Sequence, residues 1–149
     1  MSILNQFAEF LEKQDVLSKL TESEKLHNYG YSEIHVIACI GELKEPNVTE
    51  IARTMKMTRG AVSKITKKLI AQNILEPYGI AGNRQKVFFS LTETGRSLYA
   101  EHARRHQLWM ERDSRFLQQF SGEQLDEISR FMTKYNRYLE MQINERGGT

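Results

Sequence analysis

Cysteine is almost missing from this chain of 149 residues. Cys39 stands alone, so no internal disulfide framework staples the fold. It sits in Ala38-Cys39-Ile40, where a thiol reads as a small buried side chain; a redox sensor needs an exposed thiolate among positive charges. Two prolines and nine glycines are too few for long linkers or disordered tracts. No apolar run reaches the length of a membrane span, and the N-terminal MSILNQFAEFLEKQ carries acids where a secretory leader would be basic and then apolar. A cytoplasmic protein without a membrane partner is the expectation. Catalytic signatures are lacking too: no phosphate-cradling glycine motif, no HExxH, no nucleophile spaced beside a base. Glu24 and Glu33 near histidines are the best set that can be assembled, and they match no known one. An enzyme is not expected.

What is present is an uneven distribution of charge. The whole chain carries only +2, yet from Arg53 to Lys86 eight basic side chains (Arg53, Lys56, Arg59, Lys64, Lys67, Lys68, Arg84, Lys86) face Glu76 alone, a local +7. A run of lysines is ordinarily a solvated face. Here it coincides with the stretch NVTEIARTMKMTRGAVSKITKKLIAQ, residues 47–72, which reads as two short helices around a tight turn. Asn47 caps the first helix, and Glu50, three residues on, is placed to reach back to the cap amide. Thr58 caps the second. In that second helix Val62, Ile65 and Leu69 recur at helical spacing and face inward. Arg59, Ser63, Lys64, Thr66, Lys67 and Lys68 are left on or near the other side, and the small Gly60 and Ala61 allow close approach. Small, hydroxyl and basic groups on the outer face of such a helix suit readout of the DNA major groove. A helical hairpin with a solvated basic face is the bland alternative.

The flanking sequence supports the DNA reading. Residues 2 to about 26 read as a helix with an apolar stripe of Ile3, Phe7, Phe10, Leu11, Leu17 and Leu20, broken by His27-Asn28-Tyr29-Gly30-Tyr31. Ser32 is the expected cap of a second, largely buried helix carrying Ile34, Ile37, Ala38, Ile40 and Leu43. After Gln72 the period changes. Ile74–Tyr78 and Val87–Leu91 are short β-type runs joined by residues 79–86, a hairpin whose Arg84 and Lys86 suit a wing on the DNA backbone or in the minor groove. A long helix over roughly 94–119 follows. Ser121 and Gln124 form a capping-box signature for a last helix with Leu125, Ile128, Phe131, Met132, Tyr135, Leu139 and Ile143 on one broad face. That face and the N-terminal helix expose more apolar surface than a small domain covers, which points to a second copy of the chain.

The fold class expected is mainly α with a small β-hairpin wing: a winged helix-turn-helix over 32–95, an N-terminal dimerisation helix and turn over 1–31, and C-terminal dimerisation helices over 96–149. This order of elements, with NVTEIARTMKMTRGAVSKITKKLIAQNIL and FFSLTETG, resembles the MarR transcription regulators. The resemblance implies a homodimer on a palindromic double-stranded DNA operator, usually acting as a repressor. Its readout positions fall on Thr58, Arg59, Ser63, Lys64 and Lys67, with Arg84 in the wing. Thr49, Gly60, Lys68, Asn83 and Lys86 complete the expected DNA-facing set. One departure stands out: where the family commonly has Asp-x-Arg, this chain has Asn83-Arg84-Gln85. An amide cannot hold an arginine by an ion pair, so a looser wing tip is expected. The rival class is a winged helix that docks proteins and has no DNA specificity of its own; such a module would not need the local +7.

Among possible triggers, two histidines draw notice. His102 and His106 stand four apart in AEHARRH and project from one helical face, a spacing that suits two ligands of one zinc ion. Zinc-responsive MarR repressors use a similar pair plus a histidine in the helix before the helix-turn-helix, and by that resemblance His35 joins the set, with Glu24 or His27 as the fourth ligand. The bland reading of the pair is a polar helix face beside Arg104 and Arg105. An organic effector held among Tyr29, Tyr31, Trp109 and Met110 is the other candidate.

Overall fold

The computed structural model describes residues 2–21 and 23–147. Six helices and one hairpin follow in the order α1 (Ile3–Leu20), α2 (Tyr31–Glu42), α3 (Val48–Met55), α4 (Arg59–Ala71), β1 (Leu75–Ile80), β2 (Asn83–Leu91), α5 (Glu93–Leu117) and α6 (Gly122–Gly147). Residues up to His102 form one compact unit and those from Ala103 a second, the boundary falling within α5. The mainly helical architecture with a two-stranded antiparallel hairpin is the expected fold class. No helix among the described residues is long and apolar enough to cross a membrane.

The core of the first unit lies where α2, α3, α4 and the hairpin meet. Val36, Ile37 and Ile40 of α2, Ile51 of α3, Val62 and Leu69 of α4, and Ile74, Leu75, Phe89 and Leu98 are buried together. Each large aliphatic side chain so enclosed contributes about 1.5–3 kcal/mol. Cys39 is buried in the same cluster, and burial, first, with Glu42 nearby, pushes its thiol above the usual range, which makes it a packing residue and a poor nucleophile.

Several local expectations change. The N-terminal helix stops at Leu20, before residue 26: Thr21 turns its hydroxyl back onto the Leu17 carbonyl at 2.8 Å, and two successive turns follow, closed by Leu26 N–H to Ser23 O and Tyr29 N–H to Leu26 O. Leu26, drawn into the core, anchors that loop. Gly30, with no side-chain hydrogen bond, is the N-cap of α2, so Ser32 lies inside the helix and caps nothing. Glu50 does not reach back to the cap amide; its carboxylate pairs with Arg53 one turn on. Asn47 nevertheless caps α3 through Oδ1, accepting from Glu50 N–H at 3.0 Å. Thr66 is buried, not outward: it lies four residues after Val62 and three before Leu69, on their face, and it donates its hydroxyl to the Ser63 carbonyl.

The hairpin is longer and tighter than the sequence suggests. Residues 79–86 are mostly strand, with the chain reversing at Ala81-Gly82, where Gly82 takes φ +86°, a left-handed conformation that favours glycine. The register runs from Leu75 opposite Leu91 to Ile80 opposite Asn83, with an irregularity between Tyr78 and Ile80. A bridge between Asn47 and Phe88, with Phe89 N–H donating to Pro46 O at 3.0 Å, ties the start of α3 to β2. The cap of the helix-turn-helix and the base of the wing are therefore one hydrogen-bonded unit.

Candidate nucleic-acid interface

The turn between α3 and α4 is set by backbone hydrogen bonds. Met57 N–H donates to Ala52 O at 3.0 Å and Lys56 N–H to Arg53 O at 3.4 Å, a Schellman closure with Lys56 in the left-handed region at φ 54°. Thr58 then accepts from Ala61 N–H at 3.1 Å and starts α4. The far end of α4 closes in the same way: Ile74 N–H to Leu69 O at 2.9 Å, Asn73 N–H to Ile70 O at 3.0 Å, with Asn73 at φ 58°. Both ends of α4 are thus fixed by short-range geometry, and neither left-handed residue is a glycine. Without glycine at those positions the sequence carried no strong signal of either closure.

Opposite the buried Val62, Thr66 and Leu69, the outer face of α4 presents Arg59, Gly60, Lys64 and Lys67 exposed, with Ser63 half-buried at its edge. Thr58 is exposed at the helix start and Thr49 on α3. In the hairpin Arg84 and Lys86 are exposed and Asn83 is half-buried. Lys68 is exposed too, yet its ammonium is 2.5 Å from the Glu33 carboxylate of α2, a partner the sequence did not reveal because 35 residues separate the two.

The wing is anchored by the LTETG segment. Thr92 donates its hydroxyl to Asn73 O at 2.8 Å and accepts from Gly95 N–H at 3.1 Å, while its own N–H donates to Ile74 O at 3.0 Å. Gly95 packs against that same Ile74 carbonyl so closely that a Cβ would run into its oxygen. The end of α4, the base of β2 and the start of α5 are locked by one threonine and one glycine.

His35 of α2 and His102 of α5 come together, ring centroids 5.3 Å apart and edge to face, with the Tyr31 ring 4.1 Å from His35. Burial holds the His35 pKa below the ordinary imidazole value, so His35 favours the neutral form that ligates metals. His106, exposed, follows one turn later on α5, with Trp109 at 5.5 Å. Among the described residues no three His, Cys, Asp or Glu side chains are already grouped to hold a metal ion. The structure thus brings two imidazoles, one from α2 and one from α5, side by side. Glu24 and His27, the expected fourth ligands, are both exposed in the loop after α1, while Ser23 donates its hydroxyl to Glu101 of α5 at 2.8 Å.

Residues 31–87 match the model of the MarR family. The chain is 33% identical over 109 residues to the HTH-type transcriptional regulator PchR of Bacillus subtilis (strain 168), a match covering 73% of this chain and 64% of PchR, less than two thirds of that relative's length. Among solved structures, the adhesin competence repressor AdcR from Streptococcus pyogenes superimposes with a TM-score of 0.78 at 22% identity, over 93% of this chain and 99% of AdcR. ZitR of Lactococcus lactis, a zinc-responsive MarR family member, superimposes in its complex with DNA with a TM-score of 0.76 at 23% identity, over 93% of this chain and 99% of ZitR. These likenesses establish a shared winged helix-turn-helix fold, and the segment that matches the MarR family model runs from α2 to the middle of β2.

Proposed function

We propose that this protein is a sequence-specific, double-stranded DNA-binding transcription regulator, acting as a cytoplasmic homodimer and not as an enzyme. Residues 32–95 are its DNA-binding domain, and residues 1–31 and 96–149 carry its dimerisation helices. The observation that carries the reading is the outer face of α4, where Arg59, Lys64 and Lys67 stand exposed on a helix capped at both ends and hydrogen-bonded through its C-terminal turn to the base of the wing. Thr58, Arg59, Ser63, Lys64 and Lys67 face the major groove, with Arg59 and Ser63 reading bases and Lys67 meeting phosphate; Gly60 allows close approach, Thr49 lies beside them, and Asn83, Arg84 and Lys86 of the wing meet the backbone or the minor groove. The name of PchR and the DNA complex of ZitR support the same role.

Duplexes selected from a random pool by the purified protein test this. Enrichment of a palindromic sequence is expected, with log affinity falling by about 0.9 per phosphate contact as log salt rises. Arg59→Ala is expected to relax base preference, and Lys67→Met to weaken all duplexes alike. No enrichment and a flat salt response would leave the protein-docking reading in its place.

A second reading concerns the trigger. We propose zinc as the effector, held by His35, His102 and His106 with Glu24 or His27 as fourth ligand; the convergence of His35 and His102 from two helices supports it, as does the zinc response of ZitR. Competition with a chromophoric chelator is expected to show one tight zinc ion per chain, lost in His102→Ala. Equal zinc uptake by wild type and His102→Ala would remove this site.

A further inference from the structure

Lys68 occupies the flank of α4 that turns towards α2, and its ammonium meets Glu33 Oε1 at 2.5 Å. The two side chains differ sharply in exposure: Lys68 keeps 53%, Glu33 only 15%. The second carboxylate oxygen, Glu33 Oε2, is enclosed and has no hydrogen-bond partner among the described residues. Among the described residues, that carboxylate is held through one oxygen, by the Lys68 ammonium of α4. Drawing Lys68 away would leave a largely enclosed carboxylate without its cation, and the cost of losing a partner falls on that enclosed side of the pair. The ammonium is therefore not free to swing to a DNA phosphate as Lys64 and Lys67 are. Lys68 belongs to the lysine run by sequence, but its charge is already spoken for.

We infer that Glu33 is a positioning residue for DNA recognition: by holding Lys68 it braces the readout helix α4 against α2, and that lysine makes no phosphate contact. This rests on the DNA-binding reading above and revises the role of Lys68 within it. The brace joins the middle of α4's C-terminal half to the first turn of α2, complementing the capping of α4 at its N-terminus by Thr58. A helix fixed at both places holds Arg59 and Ser63 at one height relative to the duplex, and direct readout of bases needs that fixed register.

Two measurements on the full chain test it, using Lys68→Met, Glu33→Leu, the double variant, and Lys67→Met as a comparison. Urea unfolding needs no DNA. Lys68→Met is expected to lower the folding equilibrium constant about tenfold or more, and the double variant to recover most of that loss; additive effects would overturn the brace. Fluorescence anisotropy between 50 and 200 mM salt then compares a duplex selected by the wild type with a scrambled one. Lys68→Met is expected to keep the wild-type salt slope while its preference for the selected duplex drops about fivefold. Lys67→Met is expected to lower the slope by about 0.9 for each phosphate contact removed. A slope that falls in Lys68→Met as it does in Lys67→Met would overturn the inference, and so would an unchanged preference, which a merely structural pair would give. Failure of the wild type to bind any duplex would overturn the DNA reading and the recognition role together, while the urea cycle would still decide whether the brace exists.

Discussion

At Gly95 the need for glycine comes from a neighbour and not from the backbone angle. The residue sits in the first turn of α5 against the Ile74 carbonyl, which already accepts from the Thr92 N–H and lies 3.1 Å from the Thr92 hydroxyl. That oxygen cannot retreat without breaking the Thr92 contacts. Gly95→Ala is therefore expected to destabilise the fold by about 2–3 kcal/mol, at the upper end of overpacking penalties, read as a lower urea midpoint with the slope retained. Thr92→Val is expected to lose about 1–2 kcal/mol, since it keeps the shape but leaves the Asn73 carbonyl without its donor and the Gly95 N–H without its acceptor. The FFSLTETG segment was legible in the sequence as a resemblance; its physical reason, a threonine bridging three backbone groups and a glycine admitting one of them, was visible in the contacts alone.

Elements show the same division. The capping-box prediction at Ser121 holds, with Ser121 N–H to Gln124 Oε1 at 2.9 Å and Gln124 N–H to Ser121 Oγ at 3.2 Å, because both partners lie within four residues of each other. Thr58 and Asn47 cap α4 and α3 as expected for the same reason. Ser32 fails as a cap because Leu26 and Tyr29 pack onto the core and fix where the preceding loop delivers the chain, so the helix begins earlier, at Tyr31. The left-handed Lys56 in the turn between α3 and α4 is the least comfortable backbone position of the readout unit, since a side chain there costs about 1–2 kcal/mol relative to a right-handed residue. Lys56→Val, with a branched Cβ, is expected to lower stability by a further 1 kcal/mol or about that, whereas Lys56→Gly should fold at least as well. Thermal unfolding of the two variants side by side checks this, and a Val variant as stable as the Gly variant would contradict the turn geometry.

For the whole molecule, the exposed apolar surface of α1 and α6 is the dominant fact. Neither α1 nor α6 has a buried residue. On α1, Ile3, Leu4, Phe10 and Leu11 are exposed; on α6, Ile128, Phe131, Met132, Leu139 and Ile143. Apolar faces of this extent on terminal helices are interaction surfaces, and a homodimer formed through them would multiply the discrimination of one readout helix by that of a second. The expected outcome is a dimer at micromolar concentration by sedimentation equilibrium, with urea midpoints that rise with protein concentration. Leu11→Glu together with Leu139→Glu is expected to give a folded monomer that binds duplex DNA with a roughly halved salt slope. A wild type that sediments as a monomer at every concentration would remove the dimer from the proposal.

The sequence by itself determined what depends on neighbours within one or two turns: the helical periods, the caps at Asn47, Thr58 and Ser121, the basic outer face of α4, and the presence of a hairpin after it. These are settled by local sterics and by hydrogen bonds closed within four residues. Only the tertiary structure decided what depends on approach between distant segments. It placed Glu33 under Lys68, His35 beside His102, Gly95 against Ile74 and the Asn47 cap beside Phe88. It also turned most of an expected eight-residue loop into strand, because cross-strand pairing from Leu75–Leu91 onward propagates until a residue able to take positive φ, Gly82, lets the chain reverse. Pairings of that kind follow from packing around a shared core, and no window of consecutive residues contains both partners.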